Sequence, residues 1–122
     1  MNIRELYDKI GGNYDQAVRV MKSDRLIEKY VRKLLNNDVN AQLAQAGQSM
    51  DPVKLFESAH AMKGVCANLG LEALAQAADE ITEEFRAGKS RRLSDDAVRE
   101  KLAAIDARFK ATAEGIREYG EK

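Results

Sequence analysis

Three residue types are scarce or absent in this chain: it has one cysteine, one proline and no tryptophan. A single cysteine excludes an internal disulfide, and one proline leaves long stretches free to form helices. No hydrophobic run is long enough to span a bilayer, and the N-terminal residues lack the apolar segment of a signal peptide. We therefore expect a cytoplasmic protein without a membrane partner.

Neither sign of charge is in excess. Lys and Arg together number 20, Asp and Glu together number 20, and there is one histidine. A nucleic-acid-binding domain normally carries a basic surplus, so we expect no nucleic-acid partner. The shares of 44% hydrophobic and 33% charged residues are typical of a soluble globular chain, and a length of 122 residues suits a single domain over residues 1–122.

The residues that are abundant favour helix throughout. Ala, Leu, Glu, Lys, Gln and Arg are frequent, and no alternating β-branched run indicates a strand. Start and stop signals place core helices at about residues 23–47, 52–69, 71–87 and 94–119, after two short helical pieces over residues 2–10 and 13–21. A kink is expected in the first core helix at residues 36–38. The short connections predict an all-α fold, an antiparallel four-helix bundle with additional short N-terminal helices.

Capping residues support these boundaries. Asp51 followed by Pro52 is a strong helix start, and Ser23 and Ser94 are expected to cap two further helices. Gly70 is expected to end the helix over residues 52–69 in the left-handed conformation. Because the next helix begins almost at once, these two helices should form a hairpin.

The lone histidine, His60, lies within the helix over residues 52–69. At about 100° per residue, one set of side chains falls within roughly 40° of a single line and predicts the bundle-facing stripe: Leu55, Ala59, Met62, Cys66 and Leu69. His60 lies about 140° from that line, so we expect it to face solvent. Cys66 is expected to be a small core residue rather than a reactive thiol.

Two neighbours of His60 point to a chemical role. Gly64 costs about 1 kcal/mol of helix stability relative to Ala and leaves the approach to the imidazole open. Lys63 is placed to reach an anion bound at the ring. Imidazole is largely an uncharged nucleophile at neutral pH, so this face suits phosphoryl chemistry. On spacing alone, this hypothesis and that of an ordinary surface histidine are evenly matched.

Residues 59–70, AHAMKGVCANLG, resemble the signature of histidine-containing phosphotransfer (HPt) domains, a histidine followed by x-x-Lys-Gly, small residues and a closing apolar-Gly turn. The layout of residues 5–14, of the helix over residues 23–35 and of the helix over residues 71–86 is also similar to that family. The likeness spans most of the chain to about residue 90. The last helix is similar only in length and amphipathicity.

The resemblance implies a phosphorelay intermediate of two-component signalling that becomes a phosphoprotein. In that family His60 would be the phosphorylated residue, Lys63 would lie beside the phosphoryl group, and Gly64 would give the partner room. Some members place Gln or Glu on the following helix, where this chain has Thr82, to orient the imidazole by a hydrogen bond. Thr82 is shorter, so Glu83 or a water could serve instead.

The resemblance also implies the partners, which are receiver domains of hybrid histidine kinases and of response regulators. The receiver would supply Mg²⁺, so we expect no cofactor or metal in this chain and no turnover of its own, which makes it a carrier rather than an enzyme. An apolar rim for docking is expected from Phe56, Val53 and Ala67, although Phe56 could equally pack against a neighbouring helix. A monomer is the expected oligomeric state.

The same residues also allow rival interpretations. A structural or adaptor bundle would carry no chemistry and would be indifferent to replacement of His60. A di-iron site needs two Glu-x-x-His motifs, and one histidine cannot supply them. A haem ligand would have to point into the bundle, whereas His60 is expected to face solvent. A dyad of His60 with Cys66 is disfavoured because the two residues lie on different faces of one helix.

Overall fold

The computed structural model describes residues 2–120, and in that range it contains helices and no strand, which confirms the all-α prediction. The helices are Ile3–Ile10 (α1), Tyr14–Met21 (α2), Asp24–Leu34 (α3), Val39–Ser49 (α4), Pro52–Asn68 (α5), Glu72–Glu84 (α6) and Asp95–Gly120 (α7). None of these helices combines the length and the apolar character that a membrane span requires.

Four helices pack in a closed circuit. Helices α5 and α6 form a hairpin with the most extensive helix–helix contact in the molecule, α4 packs against α5, and α7 packs against both α4 and α6. The three N-terminal helices lie on this circuit, with α1 and α3 against α7 and α2 against α3 and α5. Apolar side chains from all of these helices meet in one core, as the amphipathic spacing predicts.

The segment over residues 23–47 differs from its prediction as one kinked helix. It forms two helices, because α3 ends at Leu34 and α4 begins at Val39. At the junction, backbone N–H groups bond three residues back instead of four, as in Asn36 N to the Lys33 carbonyl at 3.1 Å. The side chain of Asn37 then accepts a hydrogen bond from the N–H of Val39 at 2.9 Å, a local bond that competes with continued helix.

Most of the other helix ends follow their capping signals, although the helix predicted over residues 71–87 ends at Glu84. Three predicted N-caps are confirmed: the side-chain oxygen accepts a hydrogen bond from a first-turn N–H at Ser23, Asp51 and Ser94. One predicted stop is wrong, since Gly47 lies inside α4, which continues to Ser49. A Cβ atom at Gly47 would lie 2.8 Å from Cδ1 of Leu102, so the glycine allows α4 and α7 to approach closely.

The turn between α5 and α6 is held by the N-terminal helices. Gly70 has a φ of 70°, and Leu71 N and Gly70 N donate to the carbonyls of Cys66 and Ala67, the bond pair of a Schellman motif. The buried Tyr7 hydroxyl donates to the Leu69 carbonyl at 2.6 Å. Asn13 N donates to the Gly70 carbonyl at 2.7 Å. Contacts from α1 and from the N-cap of α2 therefore fix the α5–α6 turn, which ends the helix that carries His60.

The connection between α6 and α7 is organised by a buried carboxylate. Glu84 is 8% exposed, and its oxygens accept hydrogen bonds from the backbone N–H groups of Arg92 and Leu93 and from Nε of Arg91. Burial raises the pKa of Glu84, but these hydrogen bonds outweigh it and leave the pKa below its usual range. The charged form is therefore the one that folding stabilises.

We expect Glu84→Gln to lower the free energy of unfolding by about 1–3 kcal/mol at pH 7, because one oxygen becomes an NH₂ group facing backbone donors. A lowered pKa contributes stability that is present above the unfolded pKa, near 4.3, and is lost as the pH falls through the folded value. Urea titrations at pH 7 and pH 3.5 should show the two proteins converging at the lower pH. A difference that is independent of pH would contradict this assignment.

Candidate functional site

Helix α5 has one buried face and one exposed face, as the spacing of its apolar residues predicts. Leu55, Ala59, Met62 and Cys66 are fully buried in the core. His60, Gly64 and Ala67 are exposed, and Phe56 is half-buried on the same side of the helix. The predicted orientation of His60 toward solvent is confirmed.

The imidazole of His60 rests on an aromatic ring one turn earlier. The rings of Phe56 and His60 are stacked, with centroids 5.7 Å apart and planes 6° from parallel. The guanidinium of Arg86, two residues after the end of α6, also lies over the Phe56 ring at 5.4 Å. Phe56 therefore supports the histidine ring rather than packing wholly inward, and it brings a second cation to the site.

The ammonium group of Lys63 is turned toward α6. Its Nζ lies 2.7 Å from Oδ1 of Asp79, and both side chains are partly exposed. Within residues 2–120, Lys63 makes no hydrogen bond to His60, although residues three apart on a helix are neighbours on its surface. The contact with Asp79 crosses between helices, and nothing in the local sequence pattern indicated it.

The surface beyond His60 is open. Apart from the adjacent residues and backbone of α5 itself, a Cβ atom at Gly64 would meet no heavy atom within 4 Å, so the glycine leaves a clear approach above the helix. Ala67 and Lys63 line an open groove of about 550 Å³ between α5 and α6. Val53, one turn before Phe56, is 63% exposed and extends the apolar surface at the other end.

The structure does not bring Thr82 or Glu83 into hydrogen-bonding contact with the His60 ring. Thr82 is fully buried, and its hydroxyl donates to the Ala78 carbonyl at 2.9 Å. The Glu83 carboxylate accepts hydrogen bonds from Arg86 and Lys89, which lower its pKa to about 2. The expected orienting bond from either residue is thus not formed, and the contact that positions the ring is the stack on Phe56.

Other chemistry has little support around His60. Cys66 lies in the core, and burial raises the pKa of its thiol to about 12, so the thiolate is strongly disfavoured at neutral pH. Among residues 2–120 there is no group of three or more His, Cys, Asp or Glu side chains arranged to hold a metal ion.

The site has the form of a solvent-facing histidine on one helix of a bundle, with a lysine one turn on and an unobstructed surface above it. The family model for the Hpt domain matches residues 27–115, more than half of the chain, so the chain belongs to the Hpt domain family. Searches of curated proteins and of solved structures gave no match. The matched range differs from the resemblance in extent, since it omits the first 26 residues and reaches well into α7.

Membership in this family implies histidine phosphotransfer in phosphorelay signalling. Hpt domains carry phosphoryl groups, interact with receiver domains and are generally not enzymes.

Proposed function

We propose that His60 accepts a phosphoryl group from the aspartyl phosphate of one receiver domain and passes it to an aspartate of another. The observation that carries this proposal is the exposed imidazole, stacked on Phe56 beside the open surface at Gly64. The chain would act as a monomeric cytoplasmic carrier between hybrid histidine kinases and response regulators.

The transfer forms one bond and breaks another. A ring nitrogen of His60 forms the N–P bond while the P–O bond of the aspartyl phosphate breaks, and the carboxylate leaves with the bonding electron pair. The imidazolium proton is then lost to solvent, which leaves a neutral imidazole ring carrying the anionic phosphoryl group. Passing the group on reverses these steps at the second receiver.

The contribution of this chain is mainly alignment and charge. Phosphoryl transfer from an activated donor depends largely on positioning and on neutralisation of the phosphoryl oxygens. Phe56 limits the orientation of the ring, and Lys63 is the nearest lysine on the same helix. The receiver would supply Mg²⁺, and we propose that this chain binds no cofactor and has no turnover of its own.

The test is incubation of the whole chain with a phosphorylated receiver domain of the same organism. We expect a phosphate that is labile in acid and stable in base, as a phosphoramidate bond should be, and mass spectrometry should place it on His60. A base-labile or acid-stable phosphate would indicate a different residue type. No phosphate from any receiver of that organism would favour the structural or adaptor interpretation.

We expect Gly64→Leu to stabilise the bundle and to impair transfer. Leucine should add about 1 kcal/mol of helix stability, because the position is exposed and nothing lies near its Cβ. The same side chain would occupy the approach to His60, so the initial rate of transfer should fall at least about tenfold, which is the cost of about 1.4 kcal/mol in the docked state.

Gly64→Ala is the matched control for that experiment, since it gives most of the helix stabilisation with little bulk. Its transfer rate should stay close to that of the wild type. Unimpaired transfer by the leucine variant would show that the partner does not approach over position 64.

A further inference from the structure

Each cation beside the His60 stack already has an acidic partner on α6. Nζ of Lys63 lies 2.7 Å from Oδ1 of Asp79. The Arg86 guanidinium lies 2.6 Å from a Glu83 oxygen. Asp79 also lines the same open groove between α5 and α6 as Lys63 and Ala67.

Phosphorylation of His60 would create a competitor for Lys63. Residues three apart on a helix have Cβ atoms about 5–6 Å apart, so a lysine ammonium can reach a group attached to the imidazole. The phosphoryl group carries up to two negative charges, whereas Asp79 carries one. Lysine cannot satisfy both acids fully, because its single ammonium would have to sit between two groups that repel each other.

We propose that Asp79 is a positioning residue that holds Lys63 on α6 and thereby limits how strongly Lys63 stabilises phosphorylated His60. This inference rests on the proposed function. Its consequence is a carrier whose phosphoryl group stays easy to pass on, because part of the available charge stabilisation is retained by the ion pair.

Removal of the carboxylate charge should therefore shift phosphorylation toward His60. The Lys63 and Asp79 side chains are 41% and 32% exposed, so their interaction is screened by solvent. Ion pairs of this kind change an equilibrium by about two- to fivefold. We expect Asp79→Asn to raise the equilibrium constant for transfer from a receiver to His60 by that factor.

The equilibrium constant is the right quantity to measure, because it depends on the free proteins and is unaffected by changes in docking. Wild type and variants would be mixed with one phosphorylated receiver, and the distribution of phosphate at equilibrium would be quantified. In a second measurement, the chain would be phosphorylated by phosphoramidate, whose P–N bond breaks as ammonia leaves and the bond to His60 forms. Titration of the phosphohistidine by ³¹P NMR should show that the last ionisation of the phosphoryl group occurs at lower pH in Asp79→Asn.

Glu80→Gln is the matched control. Glu80 is the next residue on α6, and it also pairs with a lysine of another helix, Lys101 of α7 at 2.8 Å. The Glu80→Gln substitution removes a comparable ion pair between helices that lies away from the site. Both measurements should therefore match those of the wild type.

Lys63→Ala provides the decisive background. If Asp79 acts mainly through Lys63, then most of the effect of Asp79→Asn should disappear in a chain that already carries Lys63→Ala, where only direct repulsion between Asp79 and the phosphoryl group would remain. An equal effect in both backgrounds, or none in the wild-type background, would overturn the inference and leave the proposed function standing. Failure of the wild type to be phosphorylated by either donor would overturn both.

Discussion

Replacement of His60 by glutamine should abolish phosphate acceptance and leave the bundle folded. Glutamine is polar and compatible with an exposed helix position, but its amide nitrogen is not a nucleophile at neutral pH. In the assay with a phosphorylated receiver, the acid-labile label should fall to background. The free energy of unfolding should change by less than about 0.5 kcal/mol, since the wild-type side chain is exposed and makes no hydrogen bond to another side chain among residues 2–120.

The result depends on the variant being intact, so urea unfolding should accompany the labelling. Lys54→Gln, at another exposed position of α5, is a suitable control and should be labelled like the wild type. If His60→Gln retained full labelling, the phosphorylated residue would lie elsewhere and the exposed stack on Phe56 would have no role in transfer.

Replacement of Gly70 by alanine should cause the largest loss of stability, about 3 kcal/mol. The left-handed backbone, with a φ of 70°, costs an alanine about 1–2 kcal/mol. In addition, the new Cβ would clash with the Asn13 carbonyl oxygen, which belongs to the rigid backbone of the cap of α2. Overpacking of this kind adds about 1–3 kcal/mol. Urea denaturation followed by circular dichroism would measure the change.

Gly88→Ala separates the two contributions. Gly88 is also left-handed, with a φ of 85°, but a Cβ atom there would meet nothing within 4 Å. This variant should lose only the conformational cost, about 1–2 kcal/mol. Equal losses at the two positions would mean that the contact between the α5–α6 turn and the N-terminal helices contributes little.

The Gly70 contact also links the N-terminal residues to the site. Tyr7 and Asn13 both donate to carbonyl groups of the turn that ends α5, nine and ten residues after His60 in sequence. The turn fixes the register of α6 against α5, and that register decides which α6 side chains face Lys63. A loosened turn should therefore affect the Asp79 contact before it affects the stacked pair of His60 and Phe56, which lies within α5 itself.

Much of this protein follows from short-range patterns. The helix starts at Ser23, Asp51 and Ser94, the left-handed Gly70 and the exposure of His60 could all be predicted, because each depends on a few neighbouring residues or on the periodicity of one helix. The stack of His60 on Phe56 belongs to the same class, since residues four apart on a helix are neighbours on its surface.

Contacts between helices could not be predicted from these short-range patterns. The burial of Thr82, the pairing of Lys63 with Asp79 and the place of Gly47 against Leu102 depend on how one helix is rotated and shifted against another. A shift of one residue rotates a helix face by about 100°, so small differences in packing change which side chains meet. The amino-acid sequence alone determined most of the helices, several of their caps and the solvent-facing histidine, because local bonds and periodicity set these. The tertiary structure decided which charges surround that histidine, because only core packing sets the register between helices.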